Sequence, residues 1–364
     1  MNRRRMLIGG GSLAVVAGAA ALGVRQTVSS TTYDDAQQAM HATLAAHPAE
    51  RDLVRYATLA PNSHNTQAWR FAVAPGLITI HPDFARRTPV VDPDDHHLFV
   101  SLGCAAENLA LAAAARGMAG DLVFDPGRQS IGFAHRASAP SPSPLFDAIP
   151  HRQSTRADYD GRAVAPSILA KLLAAAALPG VDTMLITDRP QLDQIRDLVI
   201  AGNSAQLADP AFVKELKAWL RFSPAHALET GDGLYAAASG NPKFPEWIGQ
   251  RAFDLFFTAK SENDKYARQL DSSAGVVVFS GQANDRDHWV KTGRACQRFA
   301  LQATALGLKH AFINQPVEVA SLRPALAALA GIPGRRPDIV MRFGHGPLLP
   351  YSPRRPISSV MSVA

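Results

Sequence analysis

Cysteine is scarce, with two in 364 residues, Cys104 and Cys296. Two thiols cannot make the framework of a disulfide-stapled domain. Both fall in helical, apolar stretches and read as buried thiols, a single bridge being the alternative in an oxidising compartment. Charge of one sign is also in short supply. The chain carries 37 basic and 31 acidic residues, and four of the arginines (Arg3, Arg4, Arg5 and Arg25) lie in the first thirty residues, which hold no acid. No basic run is interleaved with aromatics, which excludes the usual footprint of a nucleic-acid binder. No Ser/His/Asp or Cys/His arrangement marks a nucleophilic hydrolase. The Gly9-Gly10-Gly11 cluster has no strand before it, so it is not a dinucleotide-binding turn.

What is present begins with a targeting pattern. Arg3-Arg4-Arg5-Met6-Leu7 followed by the mildly apolar, Gly/Ala-rich Leu7 to Val24 fits a twin-arginine export signal better than a Sec signal or a membrane anchor. Residues 1–30 are therefore set aside as a signal, and a periplasmic or extracytoplasmic location is expected. An uncleaved signal would tether the protein to the membrane. The translocase is then one partner, and it carries chains already folded, with any non-covalent cofactor enclosed. The remainder, in a chain 47% hydrophobic and 19% charged, is long enough for two domains or one duplicated one.

The most distinctive stretch is PNSHNTQAWRF, Pro61 to Phe71. It sits between a helical pattern, Arg51 to Ala60, and two alternating strands around the Pro75-Gly76 turn. Its amides and hydroxyls suit the polar edge of a flat heteroaromatic ligand, although the same residues also make ordinary helix caps and turns. Thr31 to His47 reads as a first helix. Asp92-Pro93-Asp94-Asp95 reads as the N-cap of a long buried helix, His96 to Arg116. His96 and His97 diverge by about 100° on a regular helix, so capping, not metal chelation, is expected there; no metal site is foreseen.

The Ser/Pro stretch ending at Pro144 separates a first half, 31–144, from a second, 145–364. The second half opens with Arg152-Gln153-Ser154-Thr155-Arg156, two guanidiniums and a hydroxyl spaced to grip a phosphate. Helices are expected over Pro166 to Leu178, Gln191 to Leu207, Pro210 to Leu220, Trp289 to Leu308 and Val317 to Ala330. Strands are expected over Val181 to Thr187, Gly275 to Ser280 and Ile339 to Phe343. Arg221 to Gln250 is irregular and reads as a lid. The proline-rich tail should run extended along the surface.

Taken together, these motifs resemble the FMN-dependent nitroreductase superfamily. PNSHNTQAW is similar to its P-S-x-x-N-x-Q-P-W loop, with Asn62 and Ala68 departing from it. RQSTR is similar to its phosphate motif, LGLKHAFINQP to the segment after the second core helix, and SPRRP to the C-terminal basic segment. The order of the motifs resembles the single-chain, internally duplicated branch. The resemblance implies an α+β fold of two fused half-units forming a pseudo-dimer within a monomer, with central antiparallel sheets and long core helices.

It also implies one FMN per chain. Arg152, Ser154 and one or both of Arg354 and Arg355 would hold the phosphate. Arg156 would reach the phosphate or the ring edge. Pro61, Asn62, Ser63, Asn65 and Gln67 would line the ring, and the backbone of Asn314 and Gln315 would support N5. No side chain need act as the catalyst, with His64 a candidate proton donor. The implied activity is two-electron, ping-pong reduction of a nitroaromatic, quinone or similar small flat acceptor, with NAD(P)H as a donor. A flavin-sequestering protein with a closed lid is the alternative, and a flavin-free envelope protein a third. All of this requires Asn65 and Arg152 to reach one mononucleotide.

Overall fold

The computed structural model describes residues 31–363; the twin-arginine segment lies outside them. Two long helices, His96–Ala115 and Arg286–Ala305, pack against each other at the centre. Their contact is made backbone to backbone. A Cβ on Gly103 would lie 2.0 Å from the carbonyl oxygen of Val290, and one on Gly293 would lie 2.0 Å from that of Val100. Only glycine permits such an approach. Further along, Glu107 accepts from Arg294 Nε and Arg298 Nη1, both at 2.9 Å, and Gln297 donates to Asn108 at 2.6 Å. The first helix is long and apolar enough to cross a membrane, yet most of it is buried within the protein. Cys104 and Cys296 are buried free thiols in this core.

Eleven strands are present among the described residues: β1 (Trp69–Ala74), β2 (Leu77–Pro82), β3 (Gly120–Asp125), β4 (Ser130–His135), β5 (Val181–Ile186), β6 (Leu220–Arg221), β7 (Leu234–Tyr235), β8 (Gly275–Gly281), β9 (Lys309–Phe312), β10 (Ile339–Gly344) and β11 (Met361–Val363). One sheet has the order β11-β1-β2-β4-β3 and another β5-β8-β10-β9. β8 and β10 are buried along their whole length, as the unalternating apolar runs Val276–Phe279 and Ile339–Met341 suggest. The second sheet is antiparallel throughout, whereas β11 joins β1 in parallel.

Three expectations need correction, and one helix was not foreseen. Arg221 to Gln250 is not irregular. It holds the helix Pro224–Thr230, a turn at Ala237–Ser239, the two-residue strands β6 and β7, and the start of the helix Glu246–Phe256. Its prolines and glycines punctuate these elements: Ser223 caps the first helix with Pro224 at its start, and Gly231 ends it at φ 64°. A further helix, Ala259–Asp271, capped by Thr258, follows it unforeseen. Val317 to Ala330 is broken at Val319 into Gln315–Glu318 and Arg323–Leu329, because Pro324 can only begin a helix there. The tail does not stay on the surface: Ile357 and Val360 are buried, and the chain then pairs with β1.

The reciprocal glycine contact leads to a stability prediction. Gly103→Ala or Gly293→Ala forces the central helices apart and should cost about 1–3 kcal/mol. Denaturant unfolding of each variant checks this, and an unchanged midpoint would contradict it.

Candidate functional site

The asparagine loop starts where the helix Glu50–Thr58 ends. His64, Asn65 and Gln67 adopt φ values of 45°, 53° and 52°, left-handed positions on either side of Thr66 that non-glycine residues tolerate only when held. Asn62 holds it from within, its Oδ1 accepting from the Gln67 N–H at 2.8 Å. Asn65 donates to the carbonyls of Gly233 (3.0 Å) and Pro353 (2.9 Å). Gln67 donates to the Gly231 carbonyl and accepts from the Arg355 N–H, both at 2.9 Å. These two amides therefore tie the loop to the lid and the tail. Gln67 is fully buried and lines neither compartment of the cleft; it braces the loop.

Beside the loop lies a cleft of two joined compartments sharing Pro61, Asn62, Arg156, Leu234 and Phe312. The smaller, of 50 Å³, brings together Arg152, Ser154, Asn65 and Arg354. Asn65 and Arg152 thus meet at one small chamber, as required. No aspartate or glutamate lines it. The arginines are instead held by backbone carbonyls at the end of the Glu50–Thr58 helix. Arg354 donates to Thr58 (2.6 Å), Leu59 (3.2 Å) and Ala60 (3.3 Å), and Arg152 Nη2 donates to Leu59 (3.0 Å). Arg152 Nε and Nη1 are buried without a partner. Burial pushes Arg152 down to about 10 and Arg354 to about 9, each further lowered or barely relieved by its neighbours; at neutral pH both remain cations. The expected choice between Arg354 and Arg355 falls to Arg354. Arg355 turns away, donating to the carbonyls of Gln67 (3.3 Å) and Ser359 (3.1 Å) and lying 4.0 Å from Asp83.

The larger compartment, of 220 Å³, is lined by Ser63, His64, Asn314, Gln315 and Arg156. The Arg156 guanidinium makes no hydrogen bond or ion pair among the described residues, and burial lowers its pKa. His64 is half-buried, with its Nδ1 buried and unpartnered, and desolvation, then Arg156 and His97, push it down to about 4. It is a neutral imidazole at neutral pH.

Several lining residues carried no signal in the sequence. Lys265 and Tyr266 come from the unforeseen helix Ala259–Asp271, and Leu234, Ser239 and Asn241 from the lid. His41 and Tyr351 face the smaller compartment. His97 and Glu318 line the larger one, with His97 Nδ1 3.7 Å from Glu318 Oε1 and burial raising the Glu318 pKa. Capping at the head of the first central helix is performed by Asp92, which accepts from the N–H groups of His97 and Leu98, and not by Asp95. The His96 and His97 rings approach within 4.8 Å, and ligand atoms of Asp92, His96 and His97 lie within 4.8 Å of one another. That is closer than their helical divergence suggests, because side-chain torsions swing the rings together. Their Nε2 atoms are engaged, His96 with the Asp338 carboxylate (2.8 Å) and His97 with the Asp338 carbonyl (3.2 Å).

The cationic chamber thus opens into a larger compartment lined in part by amides. The model of the nitroreductase family matches residues 149–346, and the chain belongs to that family. A Mycobacterium tuberculosis protein provisionally named an NAD(P)H nitroreductase is 27% identical over 327 residues, spanning 85% of this chain and 90% of its own. A second from that organism, the provisional NAD(P)H nitroreductase acg, is 24% identical over 333 residues, spanning 86% and 95%. Among solved structures, the FMN-dependent nitroreductase NfnB of Mycobacterium smegmatis in complex with NADPH is 12% identical, with 61% of this chain and 98% of that one aligned at a TM-score of 0.41.

His41, His64 and His96 are each pushed to about 4, burial being the largest cause. The unfolded chain, with ordinary histidines near 6.5, binds more protons than the folded one in this window, so stability is full above pH 6.5 and falls as pH drops towards 4. Urea unfolding of the wild type across this range should show the decline, and its partial loss in His64→Asn.

Proposed function

We propose that this chain is an exported, FMN-dependent oxidoreductase that carries out two-electron reduction of a nitroaromatic, quinone or similarly flat acceptor. The observation that carries the reading is the acid-free chamber of Arg152, Ser154 and Arg354 joined through Arg156 to an amide-lined compartment more than four times as large. Buried cations without carboxylate partners are costly unless an anion completes them. The residues fit a flavin mononucleotide: the partnerless nitrogens of Arg152 would hold its phosphate, and Pro61, Asn62 and Ser63 would line its ring. NAD(P)H as donor is in keeping with the names of the relatives, and export with the twin-arginine pattern of residues 1–30. The fused halves, 31–144 and 145–364, would act as a pseudo-dimer in a monomer.

FMN, when bound, supplies hydride chemistry at N5, so the protein's task is to bind, orient and exclude water. Arg152 and Arg354 fix the anionic end. Arg156 places a positive charge where the two compartments join, suited to stabilising negative charge that develops on a reduced ring. Asn65 and Gln67, held by lid and tail, keep the loop rigid. His64, neutral and half-buried, has one nitrogen free to carry a proton.

The lid favours a second reading, storage of flavin without turnover. Leu234, Ser239 and Asn241 line the larger compartment, and Asp232 ties the lid to the first half through Arg86 while also binding Arg221 at 2.6 Å. Anaerobic mixing with NADH or NADPH separates the two: rapid bleaching of the flavin absorbance supports the enzyme, and a persistent oxidised spectrum supports storage. Arg152→Ala combined with Ser154→Ala should weaken FMN binding severely, by roughly 1.5–3 kcal/mol per charged hydrogen bond removed. A double variant that purifies fully yellow would place the phosphate elsewhere.

A further inference from the structure

The helical segment 31–40 and the turn after it carry a histidine into the cationic chamber, far in sequence from the R-x-S-x-R motif. His41 lines the same compartment as Arg152, Ser154 and Arg354. Its ring is fixed on two sides. It stacks on Tyr351, centroids 3.9 Å apart and planes 27° apart, and its Nδ1 lies 2.6 Å from the carbonyl of Pro150. A carbonyl oxygen can only accept, so Nδ1 carries the hydrogen and Nε2 is the nitrogen left for a ligand. The segment itself is anchored: Tyr33 is buried, donates to the Tyr351 carbonyl at 2.7 Å and packs on Tyr235 of the lid. Such fixation serves little purpose for a surface histidine, but it aims a donor at a defined point.

We infer that His41 is a further phosphate ligand beside Arg152, Ser154 and Arg354, taking up a proton as the mononucleotide enters and donating Nε2–H to a phosphate oxygen. This rests on the proposed flavin site and adds to it a group that discriminates phosphorylated from unphosphorylated flavin. The groups facing His41 set the direction of the proton. Arg354, Arg152 and His151 are its charged or titratable neighbours, and Tyr351 and Tyr33 its phenolic ones; Asp34 lines the shallow pocket on its outer side. Before binding, burial and then these cations hold the ring neutral, near 4, against the opposing pull of the Pro150 carbonyl. A phosphate dianion reverses the local field, and an opposite charge in contact raises a histidine pKa. The proton comes from solvent, the phosphate keeps its own charge, and no covalent bond changes. Binding of the phosphorylated ligand therefore strengthens as pH falls towards the range in which the bound imidazole is protonated, down to the point where the phosphate itself protonates, near 6. Binding of riboflavin does not.

The experiment measures the dissociation constants of FMN and riboflavin for the apo forms of the wild type and His41→Gln between pH 6 and 8.5. FMN titrations are repeated calorimetrically in two buffers of different ionisation enthalpy. The wild type should take up a fraction of a proton with FMN and none with riboflavin. His41→Gln should bind FMN about tenfold more weakly at pH 6.5, the order expected for one lost charged hydrogen bond, and should lose the proton uptake. Its riboflavin affinity should be unchanged, which also shows that the variant is folded. A variant with the wild-type FMN-to-riboflavin ratio and proton uptake overturns the role of His41 while leaving the flavin site standing. A wild-type chain that binds neither flavin overturns both.

Discussion

The arrangement on which the rest depends is the use of backbone carbonyls to hold two buried arginines. Arg354 and Arg152 converge on the carbonyls of Thr58, Leu59 and Ala60, groups that a helix end leaves unpaired and slightly negative. A carboxylate in their place would neutralise the chamber. Carbonyls orient the guanidiniums and satisfy part of their hydrogen bonding, yet leave the net charge in place for a ligand. The helix Glu50–Thr58 thus has two products at its end: the cationic chamber, and the loop that lines it.

From this follows the way distant parts of the chain meet. The R-x-S-x-R segment is set beside β9, with the Thr155 N–H donating to the His310 carbonyl at 2.8 Å. The tail threads from Pro350 to Arg355 past the same helix end before Ile357 and Val360 enter the core. The lid is secured through Asn65 and Gln67, whose amides bind Gly233 and Gly231. One loop therefore lines the cleft with Pro61, Asn62 and Ser63 and is tied to distant backbone by the amides of Asn65 and Gln67.

Much of this was legible in the sequence. Arg152, Ser154 and Arg156 announce themselves by spacing, and the loop by its density of amides between a helix and a hairpin. The central helices follow from apolar residues that nearly encircle them. The division of labour within the loop was not legible, because a glutamine that binds a ligand and one that binds Gly231 look the same until the distant backbone is in place. Arg354 and Arg355 are adjacent and chemically identical; only the path of the tail distinguishes them. Pro224, Gly231 and Pro245 read as irregularity because each lies at the edge of a short helix whose length is set by packing. His41 lies in a helical pattern with nothing local to mark it.

At Gly103 and Gly293 the two central helices touch main chain to main chain. Interdigitated side chains can repack and let two helices slide; a bare main-chain seam has no such slack. The two helices are thus welded at the centre of the molecule. Any movement that admits a small molecule is therefore easier at the edge of the cleft, where Leu234, Ser239 and Asn241 line the larger compartment, than at this seam.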